Sequence, residues 1–421
     1  MKSSIVNIFT LLIIFISLMS VDSWSNIPLG NATIYWTLNA FTLFFCYLCK
    51  KKFYNPSNKK NIPFITYYFI WIIICIIRGG FIADNYWEWK NLINGCFCLS
   101  LPLLVYTFSI PHILQKVLRR WIKIALPCFI ILAPFILKGA YGFYLAPLLV
   151  LLIFLPAYNL KWKTIFVTLG ILAMTAYLGA RSNVIKFAVS FLLLFLYYFR
   201  HLIPVKVFKY AQISFFIIPL IFLSLGISGI FNIFNMDDYW GRHETKKVTS
   251  EGVIIEDLAA DTRTFIYMEV IESALKHHYV IQGRTPARGN DSMSFGLMLG
   301  DDLKTGKYER FANEVGILNV FTWTGIIGVI LYSLIFFRAS FLAIYHSNNI
   351  YVKLIGLFVA FRWMYSWIED YFNFRIMSFT LWIMISICFS ESFRRMNNSE
   401  IKIWAKGITS SFKARVPNKY K

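Results

Sequence analysis

Along this chain, apolar runs of 16 to 23 residues alternate with short polar connections: 5–20, 33–49, 62–78, 92–110, 121–137, 140–157, 163–180, 184–199, 211–231, 315–337, 351–368 and 375–390. A helix crossing the hydrocarbon core of a bilayer needs roughly 20 such residues. The pattern therefore predicts an all-α polytopic membrane protein with about twelve transmembrane helices. Residues 232–313 break the alternation, with no run long enough to span. The expected division is nine membrane helices in 1–231, a large loop with short helices in 232–313, three further membrane helices in 314–393 and a basic tail in 394–421.

The long insertion keeps apolar residues, and loops of that kind fold over a site more often than they hang free. Within it AADTRTFIYMEVIESALKHH predicts a short amphipathic helix starting near Asp261, a good N-cap type. On a helical wheel Phe265, Glu269, Glu272 and Lys276 share one side, and Arg263, Ile266, Tyr267, Val270, Ile271 and Ala274 the other. The stretch then enters GRTPARGN, a Gly/Pro turn region carrying Arg284 and Arg288.

Composition agrees with a lipid environment: 58% hydrophobic and 15% charged residues, against about 45–50% and 25% in soluble domains. A net charge of +21 would point to nucleic acid in a soluble protein. Here the Lys and Arg residues concentrate in alternate connections: Lys50 to Lys60, Lys116 to Lys123, Lys161 and Lys163, Arg200 to Lys209, Arg338 and Lys353, and Arg394 onward. Basic loops stay on the cytoplasmic side. The charge is thus a topology signal facing anionic headgroups and not a nucleic-acid site. Both termini are expected in the cytoplasm and the insertion on the opposite face. Residues 1–20 resemble a signal peptide, but with so many later spans a retained first helix is expected. The insertion itself is nearly neutral, with ten Lys/Arg and thirteen Asp/Glu.

Seven cysteines all lie in or beside apolar runs, which argues against a disulfide framework or a zinc site, and no metal or other cofactor is expected. Cys46 and Cys49 have a redox-type spacing but no second pair or nearby His, and are read as small apolar residues.

Charges in or beside a span are costly, so those on the outer face are functional candidates. They are Arg78 at the end of the third span, Arg181 in LGARSN, Arg263, Arg284 and Arg288 in the insertion, and Glu314 heading the tenth span. Each has a plainer reading: Arg78 snorkels to headgroups, Arg263 pairs as scaffold, Arg284 and Arg288 are solvated, and Glu314 complements a helix dipole. Converging guanidiniums suit a diphosphate, whose oxygens they bind bidentately, and a nearby carboxylate can take a proton from an attacking hydroxyl. A lipid-linked diphosphate is the natural ligand at such a place. Tyr86, Trp87 and Trp89 could stack on sugars, with interfacial anchoring the favoured reading.

The plan of about twelve spans with one large late loop resembles the bacterial O-antigen polymerase and O-antigen ligase superfamily. Local similarities are LGARSN at 178–183 (an Arg-Ser/Thr motif at a helix start), DTRTFIYMEV at 261–270 (the Arg opening the loop helix), VIQGRTPARGN at 280–290, and NEVGILNVFTWTGIIG at 313–328 with its Gly-x-x-Gly. Many members, ligases especially, have a His-Asn pair before the late span, where this chain reads Asn313-Glu314. His243, His277 and His278 lie elsewhere in the insertion, which favours the more variable polymerase branch.

The resemblance implies metal-independent glycosyl transfer at the outer leaflet of the bacterial inner membrane. The donor would be a glycan on undecaprenyl diphosphate, and the acceptor a sugar hydroxyl of another lipid-linked repeat unit. Arg181 and Arg263 would hold the diphosphate, with Arg78, Arg284 and Arg288 as further binding residues and Glu314 as the base. A chain-length regulator and a flippase would be partners. Alternatives are an O-antigen ligase, a flippase or transporter, for which Arg362 is the main mid-span charge, and a metal-dependent transferase, for which Asp22, Asp237-Asp238 and Asp301-Asp302 are the available acids.

Overall fold

The computed structural model describes residues 3–50, 63–232, 234, 244–249, 252–257, 263–293, 295–296 and 305–410. The principal helices are α1 (Ser3–Met19), α2 (Ala32–Leu48), α3 (Pro63–Ile82), α4 (Tyr86–Leu99), α5 (Pro111–Arg120), α6 (Leu160–Thr175), α7 (Arg181–Tyr198), α8 (Val205–Ile227), α9 (Thr264–Lys276), α10 (Gly316–Tyr345), α11 (Ile350–Tyr365), α12 (Ile376–Phe389) and α13 (Asn398–Thr409). Among the described residues six stretches are long and apolar enough to cross a membrane: Val6–Trp24, Pro63–Ile82, Tyr86–Phe108, Arg181–Tyr198, Val205–Ile227 and Gly316–Tyr345. The chain is a mostly helical, membrane-embedded protein.

Of the other expected spans, 33–49, 163–180, 351–368 and 375–390 form the single helices α2, α6, α11 and α12, and the remaining two form shorter pieces for a local reason. Pro127 and Pro134 interrupt the run at 121–137, which becomes a π-turn at Trp121–Ala125 followed by Leu126–Leu132 and a short 3-10 turn. Pro147 and Pro156 divide the next run into Tyr141–Tyr144, Leu148–Ile153 and Leu155–Ala157. Proline removes a helix donor and clashes with the preceding turn. The pieces of 140–157 are nonetheless buried and build the core around α12, all of whose residues are buried, whereas Ile130, Ile131 and Phe135 of the first run are exposed. On α8, by contrast, Ile213, Ile217, Leu220 and Ile221 are exposed, as expected of a lipid-facing helix.

The insertion differs from the expectation of short helices alone. It contains α9 and two antiparallel pairs: β1 (Glu244–Thr249) with β2 (Gly252–Asp257), and β3 (Asn290–Asp291) with β4 (Glu309–Arg310). Val248, Val253, Ile254 and Ile255 are β-branched and favour the extended form. Asp261, expected as the N-cap of α9, lies outside the described residues, and Arg263 occupies that position. α9 buries Ile266, Tyr267, Val270, Ser273 and Ala274, whereas Ile271, expected on that side, is exposed. Asp237-Asp238, His243 and Asp301-Asp302 also lie outside the described residues.

α10 is broken at Gly325, which has φ 66° and ψ −171°, a region essentially restricted to glycine. A break inside an apolar helix frees backbone groups that must find partners. Here the insertion and α3 supply them. Ile326 N–H donates to Val280 O at 2.9 Å, Arg284 N–H to Thr322 O at 2.6 Å, and Trp71 Nε1 to Thr324 O at 2.8 Å. At the far end, part of the expected basic tail forms α13. Its Trp404 is fully buried and donates to Pro111 O at 2.9 Å. None of the seven cysteines is in a disulfide, and Cys46, Cys49, Cys75 and Cys388 are buried.

Candidate functional site

The start of α10 brings the two ends of the insertion together. Arg263, opening α9, pairs with Glu314 at 2.8 Å, and its Nε donates to Ile368 O at 3.2 Å. Arg310, on β4, approaches Glu314 at 3.5 Å and lies over the Phe295 ring at 4.3 Å. Glu314 is 54% exposed while Arg310 is 11% exposed at the side chain, so the carboxylate looks outward from between two guanidiniums. Burial lowers the pKa of Arg310, and Glu314 and Glu269 partly counter this. Among the described residues its buried Nη1 has no hydrogen-bond partner. Such a group is costly unless something accepts from it.

The 366–375 connection completes this end. Gly316 N–H donates to Glu369 O at 3.1 Å and Ile317 N–H to Ser366 O at 3.1 Å, so this loop caps the start of α10. The Glu369 carboxylate receives Lys186 of α7 at 2.6 Å and Arg362 of α11 at 3.2 Å. Lys186 is wholly buried and Arg362 nearly so. Lys186 sits in the second turn of α7, so its bond to Glu369 draws the start of that helix, with the exposed Arg181, toward the same cluster. Asp370, next in the chain, accepts from Phe372 N–H at 2.8 Å and Asn319 Nδ2 at 3.2 Å. Burial raises its pKa to about 6, with Glu369 adding to the rise and Arg375 opposing it. Asn319 is in turn bonded both ways to the Asn313 backbone, beside Glu314.

The structure thus joins Arg263 to Glu314 and sets Arg181 nearby. The remaining sequence candidates have other partners. Arg78 donates to Gln282 O at 2.9 Å and Gly283 O at 3.3 Å, pinning the segment that enters the α10 break. Arg284 binds Asp291 and Glu309, both at 2.9 Å. Arg288 pairs with Glu309, whose hydrogen bond holds its pKa above the ordinary value. Glu309 and Glu88 draw this group, with Lys307 at 2.5 Å from Glu88, into a lattice fastening the insertion to the α3–α4 turn. His277 meets Asp291 at 2.8 Å within the same lattice. Tyr86 and Trp89 are exposed on the first turn of α4, and Lys90 lies over Trp87 at 4.6 Å.

Sequence reasoning missed Arg310, Lys186, Glu369 and Asp370. A signal existed for the first, four residues before Glu314, and for the acids, between two closely spaced apolar runs. Nothing local pairs Lys186 with a residue 183 positions away.

Chemically, the cluster is a partly open patch where Arg263 of the α9 start and Arg310 of β4 flank the outward carboxylate of Glu314, while Lys186 of α7 and Arg362 of α11 pair with the separate, largely buried Glu369. It can bind an anion with several charge-assisted donors and offer a proton acceptor beside it. Compared with protein-family models, with curated proteins and with solved structures, the chain matches none.

Proposed function

We propose that the protein polymerises undecaprenyl-diphosphate-linked oligosaccharide repeat units into a surface polysaccharide. In this reading the chain crosses the bacterial inner membrane about twelve times with both termini in the cytoplasm, and the insertion faces outward. The carrying observation is the convergence of Arg263 and Arg310 on the exposed Glu314, with the buried Arg310 Nη1 donor without a partner among the described residues. A diphosphate would accept from Arg310, Arg263 and Arg181, which stabilise it as a leaving group. Glu314, released from its arginines as the anion enters, would take the proton of the attacking sugar hydroxyl. The new glycosidic bond forms as the bond from the donor sugar to its diphosphate breaks. Arg78, Arg284 and Arg288 act one step back, by holding the insertion in place.

The test is the length distribution of surface polysaccharide in cells lacking the protein and complemented with wild type, Arg263→Ala, Arg310→Ala or Glu314→Gln at matched membrane levels. Single repeat units that remain attached to their final acceptor in the null, with no ladder restored by the Arg variants, support polymerisation. Long chains left unattached would indicate a ligase, and repeats accumulating on the inner leaflet a flippase.

A further inference from the structure

α9 has three sectors and not two. One, at Ile266, Tyr267, Val270, Ser273 and Ala274, packs on the bundle. A second carries Glu269, Glu272 and Lys276. The third, at Met268, Ile271 and Leu275, has the i, i+3, i+7 spacing of a single stripe, is apolar, and is exposed by 56%, 38% and 61%. No described side chain covers it. At its Leu275 end the stripe opens into a groove of about 420 Å³ lined by Ala274, Leu275, His278, Val280, Ile281 and Gln282.

The occupant is indicated by what lies on the other side of the groove. Val280 and Ile281 are the residues whose carbonyls accept from Ile326 and Ile327 at the break in α10. Ile326 and Ile330 are exposed side chains of a helix long and apolar enough to span. Ile281 is 66% exposed between them and Leu275. Apolar surface thus leads from a membrane span, past Ile281 and along the groove, onto α9. His278, exposed and lining the groove, stands at its edge, where a headgroup phosphate would meet it.

We infer that α9 lies in the membrane interface, with Met268, Ile271 and Leu275 and the adjoining groove covered by acyl chains of the bilayer leaflet at that end of the bundle. The bilayer thereby sets the height at which α9 presents Arg263. This holds whether or not the proposed transfer reaction is the right one, because it uses only apolar exposure and continuity with the span.

The test is photo-crosslinking in native membranes, with p-benzoylphenylalanine placed in the full chain at Ile271, at Leu275 or, as the water-facing comparison, at Glu272. These positions are exposed, and only variants reaching wild-type membrane levels are read. Phospholipid adducts, identified by mass, are expected at 271 and 275 in at least fivefold higher yield than at 272. Equal yields at all three positions would overturn the inference. Adducts to another protein would make the stripe a protein interface, and adducts to a polyprenyl lipid alone would make it a substrate groove; either result also overturns it. Loss of the polysaccharide ladder with lipid adducts intact would bear on the transferase reading only.

Discussion

Replacing Glu369 by glutamine is expected to destabilise the protein more than any other single change in the buried triad. Lys186 and Arg362 are 0% and 2% exposed at their side chains, and Glu369 is the acid that both contact, at 2.6 and 3.2 Å. Glu369→Gln leaves two cations facing each other in a membrane-embedded site. Removing the shared partner of a buried pair costs about 3–5 kcal/mol, because the charge that remains is uncompensated. Lys186→Met removes a buried charge together with its desolvation cost and leaves Glu369 still paired with Arg362, so the loss is at most about 2 kcal/mol. The assay is thermal unfolding of detergent-solubilised protein, followed by loss of the monodisperse peak on size exclusion. The expected order of midpoints is wild type, then Lys186→Met, then Glu369→Gln several degrees lower. Lys186→Met at or below Glu369→Gln would refute the idea that the carboxylate neutralises both cations.

Other outcomes follow from the same geometry. Gly325→Ala should abolish stable insertion, because φ is +66° and the added Cβ would collide with the Ile281 carbonyl; Gly229→Ala, at φ +70° with open space around it, should cost only about 1 kcal/mol, and membrane levels of the two compared with wild type check this. The raised pKa of Asp370, about 6, means that the folded protein binds a proton which the unfolded chain releases at lower pH; its contribution to stability falls as pH rises from about 4 to 6, so Asp370→Asn should flatten the midpoint-against-pH curve in that window and stabilise at pH 7. Asp291 has the opposite sign. Although burial would raise its pKa, Lys276, His277 and Arg284 hold it below the carboxylate range, so its stabilisation is present at neutral pH and is lost progressively as pH falls below about 4, and Asp291→Asn should lower the midpoint at pH 7. Arg78→Ala removes both donors to Gln282 and Gly283 and should speed proteolysis within the 278–293 segment, with Arg78→Lys intermediate; unchanged cleavage rates would show that the backbone bonds to α10 suffice alone.

What the sequence made legible is what depends on local pattern. The apolar runs gave the helical membrane class, and the wheel at 263–276 gave α9 within a few residues of its observed start. Arg263 and Glu314 were each legible as outer-face candidates, but their pairing was not, because they open different helices, α9 and α10, that only the fold brings together. Three features resisted for physical reasons. The break at Gly325 depends on a glycine that could equally continue a helix, and only the backbone bonds from Val280 and Arg284 select the broken form. Apolar runs at 121–137 and 140–157 looked like simple spans because hydropathy ignores where Pro127, Pro134, Pro147 and Pro156 interrupt the turns. Ile271 was assigned to the buried side because a two-sector wheel has no place for a second apolar surface, whereas a helix at a bilayer edge can have one.

The most direct test of the central claim is transfer by the purified protein in nanodiscs, supplied with a lipid-linked repeat unit and a chelator. The account predicts stepwise growth of the lipid-linked glycan with release of one undecaprenyl diphosphate per bond formed, retained in Asp291→Asn and lost in Arg263→Ala and Arg310→Ala. Binding of the lipid-linked substrate by wild type without chain growth or diphosphate release would contradict it.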